Sequence, residues 1–210
     1  MLWVGVDVGG TFTDAVVYDD EAKQIAYAKA PSTPSDPTKG VIDAVEGLGT
    51  AFEDMGRFVH GITIGTNAIL QHKGARVWLL VTEGFRDVLE IARTNRAVLY
   101  NIKTLKTPPI VPRSRSVEVR ERLIYDGSVR VPLDEAGLRE SVRALPIAED
   151  DAVAVCFLHS YAHPDHERRA VEIVREECPG VTVCCSSEVL AQFREYERFN
   201  TTALNAYIGP

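Results

Sequence analysis

The stretch that most constrains this chain is Leu2 to Asp14, where a β-prone run, LWVGVDV, meets GGTFTD and strand character resumes at once in AVVYDD. Strands joined that tightly must be antiparallel neighbours, because a parallel pair needs a crossover of a dozen or more residues. QIAYAKA supplies a third short strand, so the start reads as an antiparallel meander. Beyond the proline-rich link PSTPSDP, Asp36 as N-cap and Pro37 at the first helical position predict a helix. Val41, Val45, Leu48, Phe52 and Met55 would share its apolar face, with Gly40, Gly47 and Gly49 weakening its middle.

The rhythm then becomes strand and helix in alternation. FVHGITIG reads as strand, TNAILQHKG as a short helix, ARVWLLVT as a buried strand and FRDVLEIARTNR as a helix. VEVRERLI and SVRVPL predict a hairpin turning at Asp126 and Gly127. Asp134 caps the helix EAGLRESVRAL, AVAVCFL reads as a central strand, Pro164 and Asp165 open HERRAVEIVREEC, and VTVCCS is another strand. The last segment, from Ser187 to Pro210, is helical in pattern and stops on an apolar surface of Leu204, Tyr207 and Ile208. It reads as a piece of a longer polypeptide. The expected organisation is one region over 1–210, with an α/β core in 1–95 and 150–210 and a hairpin-and-helix subdomain in 96–149.

Composition narrows the function classes. With 45% apolar and 25% charged residues in 210, the chain can build a core and is neither disordered nor fibrous. A net charge of -7 disfavours phosphate backbones and anionic membranes, so neither nucleic acid nor membrane is expected as a partner. Met1 runs straight into LWVGVDVGG with no signal peptide, and a cytoplasmic location is expected. Cys156, Cys178, Cys184 and Cys185 show no Cys-x-x-Cys spacing; they read as reduced, with Cys156 and Cys184 as small core residues.

The chemistry concentrates in GVDVGGTFTD. Gly9 and Gly10 would let the backbone reach left-handed conformations and approach a ligand, so that successive N–H groups form a nest for phosphate oxygens. Thr11 and Thr13 add hydroxyls, and Asp7 is a candidate for holding hydrated magnesium, which takes only one or two carboxylates. The turn runs from strand to strand, whereas Walker and dinucleotide loops run into a helix, and neither of those glycine strings occurs. A plain hairpin remains the bland alternative.

An acidic residue followed by Gly-Gly-Thr in a first hairpin resembles the phosphate loop of the actin, sugar kinase and Hsp70 ATPases. GVDVGGTFTDAV, HGITIGTNAIL, TEGFRDVLEIAR with NRAVLY, CFLHSYAHPDHERRA, EVLAQFREYER and TTALNAYIGP, in that order, resemble successive blocks of the hydantoinase A, 5-oxoprolinase and acetone carboxylase β-subunit family. The resemblance covers almost the whole chain and corresponds to the N-terminal region of much longer members. It implies an α/β fold, a ribonuclease-H-like half of an actin-like ATPase, with a mixed sheet flanked by helices and a smaller inserted hairpin region. It implies ATP and Mg2+ as cofactors and ATP-dependent chemistry on a carbonyl: opening of a five-membered cyclic amide (hydantoin, N-methylhydantoin or 5-oxoproline), or carboxylation of acetone or a similar ketone. A non-catalytic actin-fold binding module and a kinase-like phosphotransferase are the alternatives. A second, separately encoded subunit of hydantoinase B type is the implied partner. With the later half of the nucleotide cleft missing, the 210-residue piece alone is expected to be inactive.

Carried over by position, Asp7 and Asp14 are the candidate catalytic residues, with Asp7 placing magnesium and Asp14 orienting the turn or a metal-bound water. Gly9, Gly10, Thr11, Phe12 and Thr13 would cradle phosphates. In HGITIGTNAIL, Thr66 or Asn67 can cap a helix whose free N–H groups face an anion or carbonyl, and His60, Thr63, Thr66 and Asn67 are candidate substrate contacts. Arg86, Glu90 and Arg93 recur at helical spacing as a salt-bridged face, while Arg86 and Asp87 are candidates to complete a ligand pocket. Ala92 stands where the family pattern has glycine. His159, His163 and His166 straddle Pro164 rather than share a helical face, which argues against a metal site. Arg113, Arg115, Arg120 and Arg122, interrupted by Glu118 and Glu121, read as a solvated hairpin face.

Overall fold

The computed structural model describes residues 1–210 apart from 34, 35, 96, 97, 99 and 102. Pro34 and Ser35 of the proline-rich link, and Arg96, Ala97 and Leu99 of the NRAVLY block, therefore lie outside the described residues. The chain divides into two compact units, Met1–Lys73 and Gly74–Pro210, so residues 96–149 belong with the second.

In the first unit, strands β1 (Leu2–Val8), β2 (Phe12–Asp19) and β3 (Gln24–Pro31) form the antiparallel meander, and β4 (Met55–Ile62) joins β1 in parallel. The order across this four-stranded sheet is β3-β2-β1-β4. Helix α1 (Pro37–Glu46) starts where its cap predicts, the Asp36 carboxylate accepting from the Thr38 N–H at 3.1 Å. It is shorter than its apolar spacing suggested. Gly47 ends it, Gly49 turns the chain at φ +68°, Phe52–Asp54 form a 3₁₀ turn, and Met55 already belongs to β4. Alternation along the strands gives the sheet two faces. Val4, Val6, Val8, Ala15, Val17 and Ala30 are buried with Ala44 and Val45 of α1. The other face exposes Trp3, Val16, Ile25, Tyr27 and Val59. Helix α2 (Ile64–Leu70) follows β4.

The second unit is built on a parallel sheet of β5 (Val77–Thr82), β6 (Ser116–Val119), β9 (Ala152–Cys156) and β10 (Thr182–Cys185), in the order β10-β9-β5-β6. Strands β5 and β9 are buried at every residue, as uninterrupted apolar runs in a sheet covered on both faces should be. On one face Trp78, Leu80, Val153 and Val155 pack with Leu138 and Val142 of α4 (Glu135–Ala144) and Ala170, Ile173 and Val174 of α5 (Asp165–Glu177). On the other, Val77, Leu79, Val81 and Ala154 meet Phe199, Ala203 and Ala206 of α7 (Glu195–Ile208). Cys156 and Cys185 are fully buried and Cys184 partly so; all four cysteines are free.

Three local expectations are corrected by this architecture. The hairpin at Asp126 and Gly127 is present, but only β7 (Arg122–Leu123) pairs with β8 (Val129–Val131); β6 instead pairs with β5 as an edge of the main sheet. Helix α3 is only Val88–Ile91, because Ala92 and Thr94 take φ values of +52° and +59°. The final helical stretch is broken into α6 (Ser186–Val189), directly after β10, and α7, with Arg194 at φ +88° between the two helices. Among the described residues no helix is long and apolar enough to cross a membrane.

Ala92, with φ +52° and ψ -137°, occupies a region that costs an L-residue of order 1 kcal/mol or more and glycine little. Ala92→Gly is therefore expected to raise the thermal midpoint by about 2–4 °C per kcal/mol relieved, read by calorimetry.

Candidate functional site at the first hairpin

The glycine pair works by closeness. Gly9 donates its N–H to the Phe12 carbonyl at 3.0 Å, and a Cβ on Gly9 would stand 2.8 Å from that oxygen, too near for any side chain. Neither Gly9 nor Gly10 takes the left-handed conformation expected of them. Among the described residues, no backbone carbonyl accepts from the Gly10 or Thr11 N–H, so two successive donors at the tip of the hairpin are available to an anion.

Below the tip, strand register lines up one row of residues across all four strands: Lys29 opposite Asp14, Asp14 opposite Asp7, Asp7 opposite Gly61. Carboxylates directly opposite on neighbouring strands repel, so this row needs a cation. Lys29 supplies one side of it, its ammonium 2.9 Å from Asp14 and 5.0 Å from the Phe12 ring centre. Asp7 is exposed, and Gly61, where a Cβ would lie 3.9 Å from the Asp7 carboxylate, leaves the space beside it open. From the acid pair a trough of about 490 Å3 runs along the open face past Val16, Tyr27 and Val59.

The other flank is set by the start of α2. Thr63 gives both its N–H and its hydroxyl to the Val8 carbonyl, at 3.0 and 3.3 Å, tying α2 to the end of β1. Asn67 donates to the Thr63 hydroxyl at 3.5 Å, and its amide nitrogen would meet a Cβ on Gly10 at that same distance. Thr63, not Thr66 or Asn67, is the N-cap, and it makes no side-chain cap bond. Gly65 lies inside the helix.

Of the residues singled out in the sequence, Asp7, Asp14, Gly9, Gly10, Thr11, Phe12, Thr63 and Asn67 thus gather around one hairpin tip. Thr13 does not face outward: it is fully buried, its hydroxyl 2.9 Å from that of Ser32. His60 pairs with Val6 in the parallel register and so points to the opposite face from Asp7, beside Phe58. Thr66 is exposed on α2. Arg86 and Asp87 belong to the second unit, where Arg113 binds the Asp87 carboxylate and holds its pKa below the ordinary range, and Arg86 donates to the Arg113 carbonyl at 3.3 Å. Arg93 pairs with Glu197 rather than Glu90.

Sequence reasoning missed Lys29, and it missed a buried polar network in the second unit. Glu121, expected on a solvated face, is 2% exposed, accepts from the Thr82 hydroxyl and lies 2.7 Å from His166 Nδ1. Glu167 and Arg198 are both fully buried and meet through the Ser186 hydroxyl. Arginine set among Phe199, Thr202 and Ala203 on an otherwise inward face of α7 was the available signal. Among the described residues no three His, Cys, Asp or Glu side chains gather as a metal site, the three histidines around Pro164 included.

The sequence that builds this hairpin and most of the second unit falls within a known family. A family model described as the hydantoinase/oxoprolinase N-terminal region matches residues 3–178. The chain belongs to this family. It is 38% identical over 210 residues to an uncharacterized protein of Methanocaldococcus jannaschii, covering 99% of this chain and 31% of that one. It is 36% identical over 217 residues to caprolactamase subunit alpha of Pseudomonas jessenii, again covering 99% and 31%. The crystal structure of that ATP-dependent caprolactamase superposes with a TM-score of 0.79, and nucleotide-free acetone carboxylase with 0.85 at 29% identity, covering 99% of this chain and 32% of that one. The fold is accordingly α/β of actin-like ATPase type. The chain spans about a third of the length of these relatives.

Proposed function

We propose that this chain is the phosphate-handling segment of an ATP-dependent enzyme that opens a five-membered cyclic amide by phosphorylating its carbonyl oxygen. The observation that carries this reading is the row Lys29, Asp14, Asp7 beneath two unclaimed N–H groups at the hairpin tip. A lactam carbon is a poor electrophile; transfer of the γ-phosphoryl group of ATP to its carbonyl oxygen, with release of ADP, activates that carbon for attack by water. The ring C–N bond then breaks with the nitrogen leaving as an amine, and the acyl phosphate so formed is hydrolysed to carboxylate and phosphate. Gly10 and Thr11 bind phosphate oxygens through the backbone, and Gly9 keeps the turn tight enough for that approach. The residues present fit Mg2+, which keeps most of its waters and takes one or two carboxylates: Asp7, with no cationic partner of its own in the row, would hold it. Asp14, held by Lys29, orients the turn. Thr63 and Asn67 brace the flank, and preorganised charge of this kind supplies most of the catalysis in phosphoryl transfer.

The relatives named as subunits support a second subunit in the working enzyme. Ketone carboxylation is the second reading, favoured by the 0.85 superposition on acetone carboxylase. The test is ATP- and Mg2+-dependent turnover of a hydantoin and lactam panel by the full-length protein with any co-purifying subunit, followed by mass spectrometry. Ring opening matched mole for mole by ADP release is the expected result. Nucleotide hydrolysis that requires acetone and bicarbonate instead moves the protein to the carboxylase branch.

A further inference from the structure

The row under the hairpin tip holds two carboxylates and one cation, and that cation is only loosely held. The Lys29 ammonium lies 2.9 Å from Asp14, but the two side chains are 54% and 56% exposed, and exposed ion pairs of this kind bind weakly. A second contact gives the ammonium a direction. It stands 5.0 Å from the centre of the Phe12 ring, and Phe12 is two residues nearer the tip than Asp14 on the same open face of β2. Lys29 therefore leans from Asp14 toward the tip, where the Gly10 and Thr11 N–H groups find no backbone acceptor among the described residues. Its strand is anchored there as well: the Ser32 N–H donates to the Thr11 carbonyl at 3.0 Å, and the Ser32 and Thr13 hydroxyls are 2.9 Å apart. Arg57 and Lys23, the cations against the Trp3 and Tyr18 rings, stand at the far end of the same face, where those rings are four residues, about 13 Å, from the acid row.

We propose that Lys29 is a catalytic residue of the phosphoryl transfer, its ammonium passing from Asp14 at rest to the oxygens of the phosphoryl group being transferred. The inference rests on the phosphate reading of the hairpin and adds to it a second positive charge, from the end of the row opposite Asp7. Lysine suits the exchange. Its charge is compact, carries three donors and swings on a flexible stem, and a phosphoryl group offers it more negative charge than a single carboxylate does. Phe12 keeps the ammonium within reach of the tip once Asp14 has let it go. Charge aimed at the transferred group is the kind of contact on which phosphoryl transfer depends most.

Three variants of the full-length protein test this: Lys29→Met, Lys29→Arg, and Lys29→Met combined with Asp14→Asn. Lys29→Met is expected to lower kcat for ATP turnover about a hundredfold, and Lys29→Arg, which keeps the charge, to recover part of the loss. If Lys29 served only to relieve the repulsion between the carboxylates, neutralising Asp14 in the Lys29→Met background would bring turnover back to the level of Asp14→Asn alone, and that result overturns the inference. The double variant is expected to stay as slow as Lys29→Met. A second readout needs neither turnover nor metal: calorimetry with a non-hydrolysable ATP analogue in EDTA should show about tenfold weaker binding to Lys29→Met, one charge-assisted hydrogen bond being at stake. Wild-type turnover and affinity in Lys29→Met also overturn the inference; if Asp7→Asn is slow in the same assay, the phosphate reading stands while this one falls. Failure of the wild-type protein to bind the analogue removes the phosphate reading and this inference with it.

Discussion

Asp7→Asn in the full-length protein is expected to lower ATP-dependent turnover by about a hundredfold or more, the usual cost of removing one preorganised electrostatic contact to a reacting phosphoryl group. The reason lies in the row beneath the hairpin tip. Asp14 already has its cation in Lys29, at 2.9 Å, whereas Asp7 stands opposite a carboxylate on one side and a glycine on the other. Asparagine keeps the size and the strand but loses the charge, and it also removes the repulsion with Asp14, so the fold should be no less stable. Asp14→Asn should cost clearly less, since it releases Lys29 into solution and leaves Asp7 intact. The measurement is kcat and KM for ATP over a Mg2+ titration. A loss in Asp7→Asn that excess Mg2+ partly restores fits a metal-holding carboxylate. Unchanged turnover in Asp7→Asn would remove the central assignment.

What was legible in the sequence was what local chemistry decides. Asp36 and Pro37 start α1 where they should, and the tight link between β1 and β2 leaves no choice but an antiparallel pair. What was not legible depends on pairing at a distance. VEVRERLI carries a perfectly good hairpin pattern, but β6 finds β5 more than thirty residues upstream, and only the two residues of β7 remain for the hairpin. His60 and Asp7 each look like site residues; the parallel register of β4 on β1 puts them on opposite faces, and nothing in either strand alone gives that register. Thr13 illustrates the same limit from the other side. Its hydroxyl reads as a ligand contact in GGTFTD, yet alternation from Phe12 turns it inward under α1, where a Cβ on Gly40 would sit 2.9 Å from its oxygen. The acid row was half legible: both carboxylates were visible, but Lys29 is fifteen residues away and enters only through the β2-β3 register.

The largest stability effect is expected at Arg198. Its guanidinium is fully buried and donates to the Ser186 hydroxyl at 3.1 Å, the Gln192 carbonyl at 2.9 Å and the Phe157 carbonyl at 3.0 Å, with the Tyr161 and Phe199 rings 5.4 and 5.2 Å away. Glu167, equally buried, accepts from the Phe157 N–H at 2.7 Å, the Ser186 hydroxyl at 2.6 Å and the Ser187 N–H at 2.8 Å. Ser186 therefore carries the contact between the two charges, and Phe157, just past the end of β9, is held by both. Removing one buried charge leaves the other uncompensated, which typically costs about 3–5 kcal/mol. Arg198→Met should thus lower the thermal midpoint of the second unit by roughly 10 °C, at about 2–4 °C per kcal/mol. Glu167→Gln alone should also destabilise, less so because Arg198 keeps the Glu195 carboxylate at 3.9 Å, and the double variant should cost less than the sum, because Arg198→Met strands Glu167 only while Glu167 is charged. Additive losses in that cycle, followed by denaturant unfolding, would mean that the two charges do not compensate each other through Ser186. The network thus ties the loop after β9 to the start of α6 after β10, and it holds the carboxyl ends of these two parallel strands, the end at which α/β sheets place their ligands, in a fixed relation.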